Sequence, residues 1–513
     1  MFSTLVQVSL VFVPSLVICQ LLLNYFTPGL GKIPGPFLAR FTDVWRFVDA
    51  CRGHREQTIL RLHKKYGPVV RLGPNCVSVA DPEALDLILG LKSNLDKSDH
   101  VKPMQNPVEG EVLPMLIAAI DSKVHAQRRR PIAGAFSMST LLGYENIVDE
   151  NINRLTRRLR EEYVEGDTKR ICSIDKWMHW FSFDLIGQAT FSKRFGFLDA
   201  AKDINNMMFT LDMQFIYIGT VGFMPWIDYF LLKNPLLLAL VKTPNYLVSF
   251  TNERIRKRAS GEEKGDLERP DFLSRFLDAQ QQHPDVVSDL QVKAYASTNV
   301  LAASDTTGAA LSAILMFVLQ QPTVMSKLQK ELDDNALTYP PRYSEVKKLA
   351  YLDAVIMEAL RIHPTVAVEL ERKVGAGGLV LSTGEELPPG TIVGVNAWPV
   401  HRNQDVFGKD ADTFNPERWL RGADEPEAEF GERLRGMQRK FIEFGYGPRA
   451  CIGKHIALLE LYKSISTLFG LFELSLAEPN RPVKVHALLS AKIIDLNIYI
   501  QERDRPVPVL AAA

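Results

Sequence analysis

Cysteine is scarce, with five residues in 513 (Cys19, Cys51, Cys76, Cys172 and Cys451) and no CxxC spacing among them. That excludes a zinc ribbon or a disulfide-stapled secreted scaffold, and it points the bulk of the chain to a reducing compartment. Neither charge is in excess. Lysine plus arginine equals aspartate plus glutamate at 60 each, so no global basic field draws the chain to nucleic acid and no such partner is expected. A Rossmann fingerprint, an internal repeat and a low-complexity tract are all missing. No linker splits residues 37–513, which are therefore expected to form one catalytic unit.

Charge is absent altogether from Met1 to Phe26, and Leu5 to Leu23 is apolar apart from Gln7, Ser9, Ser15 and Gln20. Such a run can cross a bilayer core of about 30 Å as a helix. A cleaved signal peptide is the competing reading, but a basic leader and an A-x-A site are lacking. Residues 1–26 are thus expected to be a retained, single-pass anchor. Lys32, Arg40, Arg46 and Arg52 follow it while nothing basic precedes it, which predicts a cytosolic catalytic domain and the endoplasmic reticulum membrane as its site. Residues 27–36, with Pro28, Gly29, Gly31, Pro34, Gly35 and Pro36, cannot be helical and read as a stiff elbow.

What remains is mainly α with a minor β-sheet. Short β patterns lie near Val69–Leu72 and Cys76–Val79, and helical periodicity dominates from about Glu145 to Leu332. The charge-rich stretches 258–270 and 421–435 are expected to be solvated loops.

Chemistry concentrates at Phe444-Gly445-Tyr446-Gly447-Pro448-Arg449-Ala450-Cys451-Ile452-Gly453. A single cysteine sits inside a glycine-rich turn, which shelters a thiolate and surrounds it with backbone N–H groups, and an arginine stands two residues before it to neutralise a carboxylate. A structural cysteine beside a hairpin is the plainer alternative. Three further stretches favour the first reading. Ala302-Ala303-Ser304-Asp305-Thr306-Thr307-Gly308 places an acid and hydroxyls inside an apolar helix, where they are costly unless used. Glu358 and Arg361 lie three apart on one helix face, and Pro416-Glu417-Arg418-Trp419 follows before the cysteine turn.

With these motifs in this order, the chain from about Pro34 onward resembles the cytochrome P-450 superfamily, the haem-thiolate monooxygenases. The resemblance implies a single haem domain behind the N-terminal transmembrane helix. It implies haem b (iron protoporphyrin IX) with Cys451 as axial ligand, a loop shaped by Phe444, Gly447 and Gly453, and propionate contacts from Arg449, Arg372, Arg129 and His125. His125 stands where the family usually has tryptophan. Asp305 and Thr306 match the acid and alcohol that deliver protons to dioxygen, with Ala303 in place of the common glycine. Glu358, Arg361 and Arg418 match the structural triad behind the haem.

The same resemblance implies an outside electron source, since the chain carries no flavin module. An NADPH-cytochrome reductase, with cytochrome b5 as a second donor, would dock on Arg128, Arg130, Arg433, Arg435, Arg439 and Lys440. Residues 207–240 would roof a pocket that opens to the membrane, and Thr365–Glu369 would add an apolar wall with one acid. Ile33–Thr42 and Lys193–Asp199 are similar to fungal, pisatin-demethylase-like members. The implied activity is hydroxylation or further oxidation of a hydrophobic terpenoid, polyketide or alkaloid scaffold. A haem-thiolate isomerase or dehydratase, and a haem sensor, are the alternatives.

Overall fold

The computed structural model describes residues 2–105, 107, 110–165, 170–240, 246–263 and 270–504, and of residues 2–11, 13 and 238–240 it describes the backbone alone. The centre is the helix Asp289–Leu319. It begins where Ser288 Oγ accepts from the Gln291 N–H at 3.2 Å and ends ahead of Pro322. It is long and apolar enough to cross a membrane, yet 72% of its apolar window is buried inside the protein. A helix apolar on all sides belongs to a core. Three of its hydroxyls are satisfied within the helix: Ser304 donates to the Val300 carbonyl, Thr306 to Ala302 and Ser312 to Gly308, each at 2.8 Å.

Around it pack Ile174–Phe191, Ala350–Ile362, Lys454–Leu471, Phe272–Gln282 and Tyr246–Ala259. The closest approach is to Ile174–Phe191, where a Cβ on Gly308 would lie 2.5 Å from His179 Nδ1 and 2.9 Å from its Cα. Only glycine permits that crossing.

The sheets are small, as expected. Val69–Gly73, Cys76–Val79, Ile392–Val395, Arg372–Lys373 and Asp96–Lys97 form one sheet in that order, antiparallel except for the parallel pair Cys76–Val79 with Ile392–Val395. Lys484–Ala487 and Ala491–Ile494 form a hairpin with His486 opposite Lys492. Cys172–Ser173, Asn497–Glu502 and Phe472–Leu476 make a third sheet.

Phe2–Tyr25 is one helix, carried through Pro14, and Phe12, Leu16, Val17, Ile18, Leu22 and Leu23 are exposed on it. The elbow 27–36 is docked rather than free. Leu30 and Ile33 are buried, Arg71 N donates to the Pro34 carbonyl at 2.7 Å, and the buried Arg71 guanidinium donates to the carbonyls of Asn24 and Leu30.

One expectation changes, and two fall partly outside the described residues. Of 421–435, residues 421–426 are a loop but the rest is not: Glu427–Lys440 is a helix, because Met437 is buried and Leu434 packs beside it against Phe407 and Trp419. Of 258–270, residues 264–269 lie outside the described residues, as does the 505–513 end of the catalytic unit.

Candidate active site

The cysteine turn is built by backbone geometry. Gly445 and Gly447 adopt φ of 72° and 64°, the left-handed region that a side chain disfavours. A Cβ on Gly447 would also lie 2.1 Å from the Leu89 carbonyl oxygen. Cys451 N donates to the Phe444 carbonyl at 2.7 Å, and Ala450 N to Gly447 at 3.1 Å. The Cys451 side chain is accessible, yet burial pushes its thiol up, opposed by the Gly453 N–H and then by Arg129. Both hold for a sulfur that faces an enclosed cleft within the molecule.

The long helix reaches the same cleft. Ile452 packs in one apolar cluster with Leu301 and Ala303. Ala302, one turn before Thr306, is exposed within an otherwise buried helix, and Thr306 is part-exposed on the same face. Asp305 points elsewhere. It is 1% exposed, one oxygen pairs with Lys492 Nζ, and the other has no hydrogen-bond partner.

Cations converge beside the turn. Arg449 donates to the carbonyls of Ala119 and Ile120 at 2.6 and 2.7 Å, and Arg129 to the Ala450 carbonyl at 2.6 Å. Arg372 is 5% exposed and lies opposite Lys97 across two antiparallel strands. His125, on the helix Ser122–Arg129, is 6% exposed. Burial and then Arg449, Arg129, Lys97 and Arg372 hold its ring down to about 3, so it is neutral. Lys97 is held down to about 7 by burial, Arg372 and Arg449, and Arg372 down to about 10 by burial and Arg449. Like charges directly opposite on paired strands repel.

This set fits haem b. The repelling cations match the two propionates, and one accessible thiol lies beside them. Lys97 was not foreseen from sequence: it belongs to no motif and arrives by pairing with a strand hundreds of residues away.

Glu358, Arg361 and Arg418 come together in one buried network. Arg361 binds Glu358 through two hydrogen bonds of 2.8 Å, Arg418 Nε reaches the same carboxylate at 2.9 Å, and Trp419 Nε1 adds a bond of 2.9 Å. Glu358 and Arg361 are fully buried. The link to the cysteine turn is a residue the sequence did not single out, His401. Its Nδ1 donates to the Arg361 carbonyl at 3.0 Å, and its Nε2 accepts from the Ile442 N–H at 2.8 Å. Burial and then Arg361 hold the ring down to about 3, which keeps it neutral for both roles.

Three expected positions are placed differently. Glu369 is 4% exposed and paired with Arg55 at 2.9 and 3.0 Å, so it gives the pocket wall no free acid. Arg433 is held by Glu425 and the Leu420 carbonyl, and Lys440 by Glu83 and the Pro82 carbonyl. Arg435 and Arg439 remain exposed with no ion pair among the described residues.

This combination of a core helix, a glycine-turn cysteine and a buried Glu-Arg-Arg triad defines a haem-thiolate fold. Residues 34–495 match the family model described as cytochrome P-450, and the chain belongs to that family. The chain is similar to the cytochrome P-450 monooxygenase cicH of Emericella nidulans, 38% identical over 460 residues (88% of this chain, 90% of the relative). A cytochrome P-450 monooxygenase of Aspergillus terreus is 37% identical over 487 residues (92% and 96%). The monooxygenase vrtE of Penicillium aethiopicum is 33% identical over 500 (95% and 93%). The family binds haem b through a cysteine thiolate, and the chain is a haem-thiolate monooxygenase of fungal type. The narrower pisatin-demethylase-like likeness is not borne out by these relatives.

Proposed function

We propose that this monooxygenase oxidises a bulky hydrophobic specialised metabolite of terpenoid, polyketide or alkaloid type at the cytosolic face of the endoplasmic reticulum. Cys451 would be the axial ligand, and Arg449, Arg372, Arg129 and His125 would receive the propionates, joined by Lys97. Phe444, Gly447 and Gly453 would shape the loop. Haem bound there would supply the reductive activation of dioxygen. Thr306 would present its hydroxyl oxygen to the cleft, and Asp305, ion-paired with Lys492, would relay protons from solvent behind it. The observation that carries the reading is the gathering of Arg129, Arg449 and the strand pair of Lys97 and Arg372 around the turn that holds one accessible thiol, with Arg129 donating to the Ala450 carbonyl next to it.

Membrane association is supported by the apolar helix Phe2–Tyr25, at 24 residues about 36 Å long. Further along the chain, a groove of about 610 Å³ is lined by Leu38, Trp45, Val48 and Leu62 with Arg52, Arg61 and Lys65 among them, and Phe37 is exposed. Exposed Trp226, Tyr229, Phe230 and Leu236 follow the roof helix Met207–Val221 and would admit a lipophilic substrate from the bilayer. Arg128, Arg130, Arg435 and Arg439 would meet an acidic NADPH-cytochrome reductase.

The test is a carbon monoxide spectrum of the reduced protein, followed by product analysis with a reductase and candidate pathway intermediates. Cys451→Ala is expected to abolish both the thiolate-type spectrum and turnover. Retention of either, or turnover independent of NADPH, overturns the reading.

A further inference from the structure

The acid of the helix Asp289–Leu319 is not hydrogen-bonded to Thr306. Asp305 lies on the buried side, and among the described residues its one ion-pair partner is Lys492. Lys492 sits on the strand Ala491–Ile494, and its side chain is 16% exposed. The same ammonium also pairs with Asp212, which is 42% exposed on the helix Met207–Val221. One lysine therefore bridges the buried acid and a surface carboxylate on a third element. The other ionisable groups facing this lysine are His179, buried against Gly308, and His486, directly opposite on the paired strand.

The helix and the hairpin are also joined by packing. A Cβ on Gly219 would lie 2.9 Å from Leu489 N and 3.2 Å from the Leu488 carbonyl carbon, so the helix backbone rests on the hairpin turn. The hairpin in turn is sewn to the segment after the triad helix: Ala367 N donates to the Leu489 carbonyl at 3.1 Å, and Ala491 N to Thr365 at 2.8 Å. Lys492 thus sits on a strand whose position is fixed from two sides.

We propose that Lys492 is the positioning residue for Asp305, and that by sharing its ammonium with Asp212 it ties the acid to the helix Met207–Val221. The inference rests on the reading of Asp305 and Thr306 as the proton-delivery pair. Removing Lys492 leaves a buried carboxylate with no counter-charge, which neutralises or turns away. Either change takes the acid out of the relay, which needs a carboxylate held in place to accept each proton from solvent before passing one on, so proton supply falls even though Asp305 and Thr306 are intact.

The test uses the full-length, haem-loaded protein with a fungal NADPH-dependent reductase and no organic substrate. Hydrogen peroxide released per NADPH consumed is compared for wild type, Lys492→Met, Lys492→Arg, Asp212→Asn, Asp305→Asn and Thr306→Ala, and hydrogen exchange of residues 207–221 is followed in parallel. Lys492→Met is expected to raise the peroxide share about threefold and Lys492→Arg to restore it. Exchange across 207–221 is expected to quicken in both Lys492→Met and Asp212→Asn. A wild-type peroxide share in Lys492→Met while Asp305→Asn raises it overturns the proposal and leaves the proton-delivery reading standing. No change in Lys492→Met, Asp305→Asn and Thr306→Ala alike sinks that reading and the proposal together. Unchanged exchange in both Lys492→Met and Asp212→Asn overturns the tie to the helix. Should Lys492→Met fail to fold, Lys492→Met combined with Asp305→Asn leaves no unpaired buried carboxylate and gives the same exchange readout.

Discussion

Thr306 donates its own proton to the Ala302 carbonyl, so toward the cleft its oxygen is left as an acceptor, which in the proposed function would orient a water. Thr306→Ala is expected to keep haem binding and to raise the peroxide released per NADPH severalfold, measured with a peroxide-specific dye; unaltered stoichiometry would refute the role. Glu460 makes a separate point about single residues. It is 2% exposed on Lys454–Leu471, and burial pushes its carboxyl up to about 8. Between about pH 5 and pH 8 the unfolded chain has lost this proton while the folded chain keeps it, so stability falls as pH rises, by at most about 1.4 kcal/mol per unit. Glu460→Gln is expected to flatten that fall and to melt higher than wild type at pH 8 in a thermal scan. Residues such as Cys451, Arg449 and Thr306 were legible because their meaning lies in short spacings. Lys97, His401 and Lys492 were not, since each acquires its role from a partner that only tertiary folding brings near.

Among elements, the triad and the cysteine turn are separate pieces of chain that one imidazole hydrogen-bonds together, beside the packing of Trp419 on Phe441. His401 accepts from the turn at Ile442 and donates to the triad helix at Arg361, while its ring lies flat on Phe441 at 5.1 Å. His401→Phe keeps a ring for that stacking and removes both hydrogen bonds. Leaving Ile442 N and the Arg361 carbonyl unsatisfied is expected to cost about 1–3 kcal/mol each, seen as a lower denaturation midpoint and faster haem loss to a scavenger protein. Equal haem retention would show that the turn stands without the link. The helix content and the strands Val69–Gly73 and Cys76–Val79 were readable from periodicity. The helix Glu427–Lys440 was masked by its charge, because a single buried turn around Met437 is enough to fold a sequence that otherwise reads as solvated.

At the scale of the whole molecule, the charge balance hides a local asymmetry. Arg435 and Arg439 stay uncommitted on a helix whose other basic side chains, Arg433 and Lys440, are held internally. The double reversal Arg435→Glu and Arg439→Glu is expected to slow reductase-supported NADPH consumption about tenfold at low salt, with the gap narrowing as salt rises. Reduction by dithionite should be unaffected, and a reductase rate equal to wild type would move the docking face elsewhere. The N-terminal run was legible as an apolar helix, but the seating of its elbow was not, because Arg71 lies on a strand far along the chain. That seating has a practical reach. With Arg71 gripping the Asn24 and Leu30 carbonyls, the end of the leading helix is bolted to the enzyme body, so a leader swapped in for recombinant production should splice upstream of Asn24, and a cut downstream of it would strip away part of the scaffold itself.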